Sequence, residues 1–387
     1  MKDTIIKGNG KSKKIKAPSN IPESFAEWRM QLISGTAMLD IVNNTDTVES
    51  NAGFDQIGTP LNKETLLTDD TSQALGLTQE NPTIDNALYA ISQKLQPAEL
   101  HILAAEGVTV TVTQGSKQLT AIAGSDKWAI VYPAFYGIWK ISATINGTLK
   151  TQTISIDSAK IYYTSLITLN EIDWTDIDKI SQSGMAQNTF KLGDSKKFEC
   201  YGYTVDAVII GFDHDSIYGK NKKAGITFQL KNSIVSASMR DVGDTTTDWS
   251  TSKMRKTILP QFMQRFPASL QSVIKTVDKY TNDGSASSKN LVHTSDTLFL
   301  LSLSEVFTVS EYTGLLKIEE GKQYEFYEAG NSKIKKLNDT NSDWWLRSPY
   351  KSGGGDDTLY FTNVTTSGTS NFSNPSTNKG LAFAFCI

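Results

Sequence analysis

Strict alternation of apolar and polar side chains at residues 107–113 is the feature that most constrains the fold of this chain. The segment reads Gly-Val-Thr-Val-Thr-Val-Thr, so every second side chain is apolar. Successive side chains of a β-strand point to opposite faces, and the period of two therefore predicts a strand with one buried face. A turn signal follows at Gly115, and the pair Asn146-Gly147 strongly favours a tight hairpin.

Further strands are predicted after this segment, and together they indicate a small all-β domain. Residues 127–132, 137–145 and 152–156 have the composition of strands. Short strands at spacings of about 8–12 residues are typical of an immunoglobulin-like β-sandwich. We expect such a sandwich at residues 98–168. Because it contains no recognisable catalytic pattern, we interpret it as a spacer.

Residues 1–97 carry helical patterns instead and are interpreted as an attachment and oligomerisation region. The segment 24–33 has apolar side chains at helical spacing, and Ser24 with Glu27 can form a capping box at its start. The polar, lysine-rich residues 1–22 are expected to form a flexible arm or a tail that orders on a neighbouring subunit.

A second short helix is predicted to begin at Pro60, and a third helix carries an apolar stripe. The members of the stripe are Ile84, Ala87, Leu88, Ile91 and Leu95. Short helices are marginally stable alone in water, so this stripe needs a packing partner. It can close as the seam of a coiled coil, which predicts a homotrimer, or it can pack against the helix at 24–33.

Composition and charge argue against several classes of protein. The chain has 387 residues, enough for roughly two to four domains, and a formal net charge of -3. This balance predicts no nucleic-acid partner. No apolar run of about 18 residues occurs, so no membrane span is predicted. The start of the chain lacks the apolar stretch of a secretory signal, which predicts synthesis in a cytoplasm and release by lysis or inside a larger particle.

Residues 169–387 have a mixed pattern that predicts an α+β domain. An amphipathic helix is expected at 173–180, ending close to a glycine, and a strand pair at 197–210. Short helices are expected further on, and Pro260 and Pro267 should each begin one.

The N-terminal region resembles a group of phage proteins. Residues 58–69 read GTPLNKETLLTD, and they are followed by ALGL at 74–77 and by the helix that begins near 83. This order is similar to the N-terminal region of tail-associated proteins in phages and prophages of Gram-positive bacteria. The likeness covers about residues 6–95. It implies attachment to a tail tip or baseplate, and hence other tail proteins as partners.

A second resemblance covers about residues 169–387. Its most specific motif is Asp-Trp-Trp-Leu-Arg-Ser-Pro at 343–349, and other motifs occur in the same order as in the family. They include Gly193-Asp194, IGFDHD at 210–215, GITF at 225–228 and Trp249-Ser250. The family is a widespread, functionally uncharacterised domain of gut and Firmicute bacteria and their phages. It is similar to the C-type-lectin and formylglycine-generating-enzyme folds, which implies variable loops on a rigid scaffold. The chain departs from it at 381–383, where the family usually has Arg and Pro.

Five residues of these motifs are interpreted as scaffold. They are Trp249, Arg255, Trp344, Trp345 and Arg347. Adjacent residues of a strand point to opposite faces, so one of the two neighbouring tryptophans is expected to fill the core and the other to cover a loop. Arg347 is expected to form a fixed fork of hydrogen bonds to carbonyl groups or to a carboxylate.

Candidate ligand-binding residues lie in the polar stretch 350–379. Short polar residues with interspersed aromatics are typical of recognition loops. The candidates are Tyr350, Asp356, Asp357, Tyr360, Asn363, Asn371, Phe372 and Asn374. Both glycan and protein recognition fit this composition, and an ordinary solvated loop remains the alternative.

No pattern in the sequence predicts an enzyme, a metal centre or a cofactor. The three histidines stand in no nucleophile-elbow or His-Glu-x-x-His context, and Cys200 and Cys386 are interpreted as buried thiols. The triplet 213–215, Asp-His-Asp, can bind a cation only if a turn brings its side chains together, and a structural role is the alternative. The stretch 353–357 can wrap a hard cation or form a flexible loop.

Three functions remain open, and we expect the first. It is a receptor-binding protein of a virion or tailocin, in which residues 169–387 bind a glycan or protein on a bacterial surface. The second is a structural tail or baseplate component. The third is a glycan-degrading tail enzyme, which needs paired acids in a cleft. Its candidates are Asp213, Asp215, Asp356 and Asp357, and no spacing singles them out.

Overall fold

The computed structural model divides the chain into two compact units, Met1–Thr71 and Ser72–Ile387. It describes residues 5–8, 11–14, 69–78, 83–244, 248–284, 290–308, 311, 319–353 and 356–387. The helices predicted within 24–33 and at Pro60 lie outside these residues, as does most of the segment 58–69. Among the described residues, β-strands are the main regular structure, with a few short helices.

The first unit contains a hairpin close to its beginning. Strand β1 spans Ile5–Gly8 and pairs antiparallel with β2, which spans Lys11–Lys14. The composition of residues 1–22 predicts a flexible arm or a tail that orders on a neighbouring subunit. The sequence between the strands is Asn9-Gly10, a pair that favours tight hairpins, and this local signal accounts for the difference.

In the described part of the chain, two helices precede the larger sheets. Helix α1 spans Asp69–Leu75 and is followed by Gly76, whose φ of 73° is one that glycine adopts without strain. Helix α2 spans Ile84–Leu95 and begins at a capping box that Thr83 forms with the residue three positions later. Its predicted stripe is partly covered within the chain, because Ala87 is buried whereas Leu88 is 52% exposed. The homotrimer stays a prediction.

Seven strands follow between residues 98 and 165. They are β3 Ala98–Leu103, β4 Thr109–Gln114, β5 Lys117–Ile122, β6 Trp128–Ala134, β7 Gly137–Ile145, β8 Thr148–Ile156 and β9 Ile161–Ser165. They form one sheet in the order β6-β3-β9 and another in the order β5-β4-β7-β8. Asn146 and Gly147 join β7 to β8 with φ angles of 50° and 75°, as the hairpin signal predicts. The immunoglobulin-like assignment of these two sheets stays a prediction.

In the remainder of the second unit, the described residues form short helices and fourteen strands. The helical segments are a 3₁₀ turn Leu169–Glu171, α3 Trp174–Gln182, α4 Ala186–Thr189, a π turn Met254–Ile258, α5 Leu259–Met263, α6 Ala268–Gln271, α7 Leu303–Val306 and α8 Glu325–Glu328. The strands are β10 Ser195–Cys200, β11 Tyr203–Phe212, β12 Ile226–Leu230, β13 Ser236–Ala237, β14 Val277–Asn282, β15 Leu291–Asp296, β16 Leu298–Phe299, β17 Lys335–Leu337, β18 Thr340–Ser342, β19 Trp344–Gly353, β20 Asp356–Val364, β21 Ser370–Ser373, β22 Lys379–Gly380 and β23 Ala384–Cys386.

Two five-stranded sheets organise this part of the chain. Their orders are β10-β11-β12-β23-β16 and β13-β22-β19-β20-β21, and β14-β15 and β17-β18 form separate hairpins. The predicted helix at 173–180 is α3, and the predicted strand pair is β10 with β11. Pro267 directly precedes α6, as the sequence predicts. Pro260 is the second residue of α5, which continues directly from the π turn, so no helix begins at this proline. A lectin-like topology stays a prediction.

The buried core continues across the predicted boundary between residues 168 and 169. Core residues from Ala98 to Ile387 form one cluster. The indole N–H of Trp128 donates to Asp176 at 3.3 Å, so β6 is tied to α3. The strands before the boundary and the helix after it therefore pack against each other within Ser72–Ile387.

The composition of the polar stretch after Pro349 predicts a recognition loop, but the stretch forms strands. Strand β19 continues to Gly353, and β20 and β21 follow it in the same sheet. Leu359 and Phe361 are buried and Tyr360 between them is partly exposed, and residues 362–364 are buried as well, so β20 packs into the protein despite its polar composition. Residues 354–355 lie outside the described residues. No helix in the described part of the chain is long and apolar enough to cross a membrane.

Candidate functional site

Three aromatic side chains meet on one face of the sheet formed by β19, β20 and β21. The ring centroids of Tyr350 and Phe372 are 4.5 Å apart, those of Tyr360 and Phe372 are 5.2 Å apart, and those of Tyr350 and Tyr360 are 6.4 Å apart. All three side chains are partly exposed. We call these three residues the aromatic triplet. Aromatic rings at such distances attract each other, so the triplet is a preformed surface whose outer part remains accessible.

Strand register brings the aromatic triplet together. Tyr350 of β19 lies opposite Tyr360 of β20. Phe372 of β21 lies opposite Thr362, which is two positions after Tyr360. Opposite and diagonal neighbours on one face are close enough for aromatic side chains to touch. Phe361, between them in sequence, is fully buried, and a slip by one residue would exchange the buried and exposed sets.

Asn363 is a candidate that the structure places in the interior. Its side chain is fully buried. The amide nitrogen donates to Asp343 at 3.4 Å, and the amide oxygen accepts from the Ser373 hydroxyl at 3.0 Å. Asn363 therefore links β20 to its neighbours and lies away from the accessible surface.

The remaining candidates lie along the same sheet or just after it. Asn371 on β21 and Asn374 after it are exposed. Asp356 and Asp357 begin β20, and the description of these two residues is limited to their backbone. Asp356 pairs with Gly353 across the end of the hairpin. The structure thus brings three of the eight candidates into mutual contact.

The two neighbouring tryptophans of the scaffold motif are both fully buried. The indole N–H of Trp344 donates to the carbonyl of Lys333 at 2.9 Å, and that of Trp345 donates to the carbonyl of Ala237 at 2.8 Å. Strand β19 is therefore covered on both faces. The prediction that only one of the two indoles fills the core is wrong. Each N–H has the partner that a buried polar group requires.

Arg347 lies two residues further along β19 and is also fully buried. Its Nη1 donates to Glu305 Oε2 at 2.5 Å, and its Nη2 donates to Glu305 Oε1 at 2.9 Å. Further bonds run from Nη1 to the Leu300 carbonyl at 2.9 Å and from Nε to the Thr281 hydroxyl at 2.9 Å. This two-pronged geometry is the strong form of the arginine–carboxylate interaction.

Trp249 and Arg255 share one carboxylate. The indole N–H of Trp249 donates to Asp296 Oδ2 at 3.0 Å, and Nε of Arg255 donates to Asp296 Oδ1 at 2.6 Å. Asp296 was not singled out from sequence, because an acidic residue at the end of a strand carries no distinctive local pattern. Both scaffold residues thus hold the π turn and the helix after it against β15.

A cluster of charged side chains fills the interior beside the Arg347 fork. We call Asp215, Lys279, Glu305, Glu320 and Arg347 the buried charge cluster. Lys279 contacts Asp215 through Nζ and Oδ1, and its Nζ lies 3.1 Å from Glu305 Oε1. Glu320 accepts from the Ser348 hydroxyl and from the backbone N–H of Asn282 at 2.8 Å. Sequence reasoning missed Lys279 and Glu320, since neither stands in a recognisable motif.

Neighbouring charges in the cluster favour the charged forms of Asp215, Lys279 and Glu305. Burial alone raises the pKa of Glu305, but Arg347 and Lys279 outweigh it and lower that pKa to about 2. Burial is likewise outweighed at Asp215, whose pKa is held well below its ordinary value by Lys279. For Lys279, burial lowers the pKa, but Asp215 and Glu305 raise it further than burial lowers it. Burial raises the pKa of Glu320 despite its neighbour Arg347.

The Asp-His-Asp triplet at 213–215 turns at Asp213, whose φ is 46°. The ring of His214 stacks on Tyr324 with centroids 3.9 Å apart, and Asp215 points into the charge cluster. His214 Nδ1 lies 3.5 Å from Asp215 Oδ1, but Asp213 is exposed whereas Asp215 is buried, so the three side chains do not form one common site. Among the residues that the structure describes, no group of three or more His, Cys, Asp or Glu side chains could hold a metal ion.

Residues 224–387 match a family described as Domain of unknown function (DUF6273). The matched segment contains both scaffold tryptophans of β19, the aromatic triplet and all of the charge cluster except Asp215. No curated protein matches the chain. The family description assigns no function. The function must therefore be inferred from the physical properties of the site.

Proposed function

We propose that this chain is a receptor-binding protein of a virion or tailocin, which attaches the particle to a bacterial cell surface. In this proposal the aromatic triplet contacts the receptor, a surface glycan or protein. Residues 1–97 attach to other tail or baseplate proteins and form a homotrimer. The protein is located in the assembled particle.

The aromatic triplet is the observation that carries the proposal. Tyr350, Tyr360 and Phe372 offer partly exposed rings in mutual contact on one sheet face. Tyrosine supplies a large contact area at a low cost in conformational entropy, because only two side-chain torsions must be fixed. The polar side chains of Asn371 and Asn374 are exposed on or beside the same strand and can provide hydrogen bonds. A rigid aromatic surface with adaptable polar neighbours suits recognition.

The interior beneath β19 supports the same proposal. The buried side chains of Trp345 and Arg347 are each fixed by hydrogen bonds, so the strand that carries Tyr350 has little freedom to move. A binding surface that is ordered beforehand loses less entropy when the ligand arrives. The N-terminal resemblance to phage tail proteins adds the expected location.

Binding of the purified full chain to bacteria tests the proposal. Fluorescently labelled protein is incubated with a panel of Gram-positive strains and with their purified cell walls. We expect binding to at least one strain, and we expect the variant Tyr360→Ala/Phe372→Ala to bind at least roughly 30-fold more weakly, about 2 kcal/mol. Protease treatment of the cells separates the receptor classes, since only a protein receptor is destroyed.

Tyr203→Ala is the matched control, because Tyr203 is a tyrosine on β11 that is 55% exposed. This variant should bind as the wild type does. The aromatic triplet would not be the binding surface if both variants lost binding equally, or if the triplet variant bound as the wild type does. Absence of binding to every strain that the parent particle adsorbs to would favour a structural tail component.

A further inference from the structure

Lys279 and Asp215 are held together in the interior although they lie far apart in sequence. Lys279 is on β14, and Asp215 follows β11 in the turn that begins at Asp213. Their contact through Nζ and Oδ1 spans 64 positions of the chain. The side chains are only 2% and 4% exposed, respectively. An amine and a carboxyl group fixed in this way can reach effective concentrations of about 10⁵–10⁸ M.

The surroundings of this pair exclude water. The ring centroid of Phe299 lies 3.9 Å from Lys279 Nζ, and Phe299 is fully buried. Condensation of an amine with a carboxylic acid releases water, so a dry site favours the amide over its hydrolysis. Two buried charges also carry a large desolvation cost, and a neutral amide removes both.

Side chains that can transfer a proton, or stabilise negative charge on a carbonyl oxygen, surround the pair. Glu305 Oε1 lies 3.1 Å from Lys279 Nζ. The Tyr324 hydroxyl lies 2.9 Å from Asp215 Oδ2 and 3.2 Å from Oδ1. Arg347 acts only as a positioning residue, since its fork fixes Glu305. A hydroxyl donor aimed at a carbonyl oxygen stabilises the negative charge that develops there during attack.

We propose that Lys279 and Asp215 join through an intramolecular isopeptide bond, with Glu305 as the proton-transferring residue. The reaction starts from the ion pair. Because the surrounding charges stabilise that pair, the first step, transfer of one proton from the Lys279 ammonium to the Asp215 carboxylate, runs uphill and makes the condensation slow. The amine lone pair then attacks Cγ of Asp215, while Tyr324 donates a hydrogen bond to the carbonyl oxygen. Glu305 takes a proton from the nitrogen and passes it to the departing hydroxyl.

The condensation conserves atoms and charge. A carbon–nitrogen bond forms, a carbon–oxygen bond breaks, and one water molecule leaves. One ammonium and one carboxylate give a neutral amide, so no oxidant, reductant or cofactor is required. The product would tie β14 covalently to the turn after β11. It would restrict the unfolded chain as a disulfide does, and the folded protein would resist unfolding more strongly.

Mass spectrometry of the purified full chain under denaturing and reducing conditions tests the proposal. We expect a mass lower than that of the sequence by one water molecule, and a branched tryptic peptide that joins Lys279 to Asp215. Lys279→Ala and Asp215→Ala should each restore the full mass. Glu305→Gln should leave most of the chain unlinked, even where the variant folds.

An internal control is available in the same peptide map. Lys253 and Asp241 make a similarly close contact, but their side chains are 33% and 67% exposed. Their peptides should remain separate, because water has access to the pair. Wild-type protein of full sequence mass would overturn the proposal whether or not the variants fold. A mass loss that maps to any other residues would overturn it equally.

Discussion

The guanidinium group of Arg347 and the carboxylate of Glu305 face each other edge to edge inside the protein, with N–O distances of 2.5 and 2.9 Å. Glu305 also accepts from the backbone N–H of Ser302 at 2.9 Å, so it caps α7 while it pairs with Arg347. One carboxylate thus joins the start of a helix to the central strand β19. The scaffold motif therefore depends on a residue more than forty positions earlier in the chain.

Removal of one partner of this pair should be costly. Arg347→Met leaves Glu305 buried without its main counter-charge, and we expect the free energy of unfolding to fall by roughly 3–5 kcal/mol. Urea unfolding followed by tryptophan fluorescence measures this loss. Arg265→Met is the control, since Arg265 is exposed, and should change the free energy by no more than about 0.5 kcal/mol. Equal effects of the two substitutions would show that the buried fork contributes little.

Glu305 should also make stability depend on pH at the acid end. Because Arg347 and Lys279 overcome burial and lower its pKa from 4.5 to about 2, the stabilisation is present above pH 4.5 and is lost as pH falls towards 2. Glu305→Gln should therefore lose less stability than the wild type over this interval. Unfolding free energies measured at pH 5 and pH 3 would test this, and parallel curves for the two proteins would contradict it.

Lys335 should make stability depend on pH at the alkaline end, with the same sign as Glu305 does at the acid end. Burial lowers the pKa of its ammonium from 10.5 to about 7. Between these values the unfolded chain binds a proton that the folded chain does not, so stability should rise with pH. Lys335→Met should flatten this rise in urea titrations at pH 7 and pH 9. Lys336→Met, at the exposed neighbouring position, should keep it. The same slope in both variants would exclude Lys335 as its source.

The hydrogen bond of the Trp345 indole N–H and the volume of the Trp345 side chain should contribute separately to the free energy of unfolding. Trp345→Phe leaves the partly buried carbonyl of Ala237 without this donor, and we expect a loss of about 1–3 kcal/mol in unfolding free energy. Trp345→Ala adds a cavity and should cost about 3–5 kcal/mol. Thermal and urea unfolding compare the two. A loss below about 0.5 kcal/mol for the phenylalanine variant would show that another group replaces the bond to the carbonyl.

Sequence by itself determined the elements whose signals are local. The turn pair Asn146-Gly147, Pro267 at the start of a helix and the alternation at 107–113 each act within a few residues, and the structure has the corresponding hairpin, helix and strand. Polar composition was a poorer guide at 350–379. Pairing with neighbouring strands satisfies the backbone there, and Phe361 supplies the apolar face, so a stretch that composition marks as a loop becomes part of a sheet.

Only the tertiary structure decided which side chains meet. The aromatic triplet depends on the register of three strands, since Tyr350 and Phe372 belong to different strands and touch only because β20 aligns them. The buried charge cluster depends on still longer connections, because Lys279 reaches Asp215 across 64 positions. A charge is stable in the interior only when a partner is brought to it. That partner is chosen by the packing of distant strands and by no pattern among neighbouring residues.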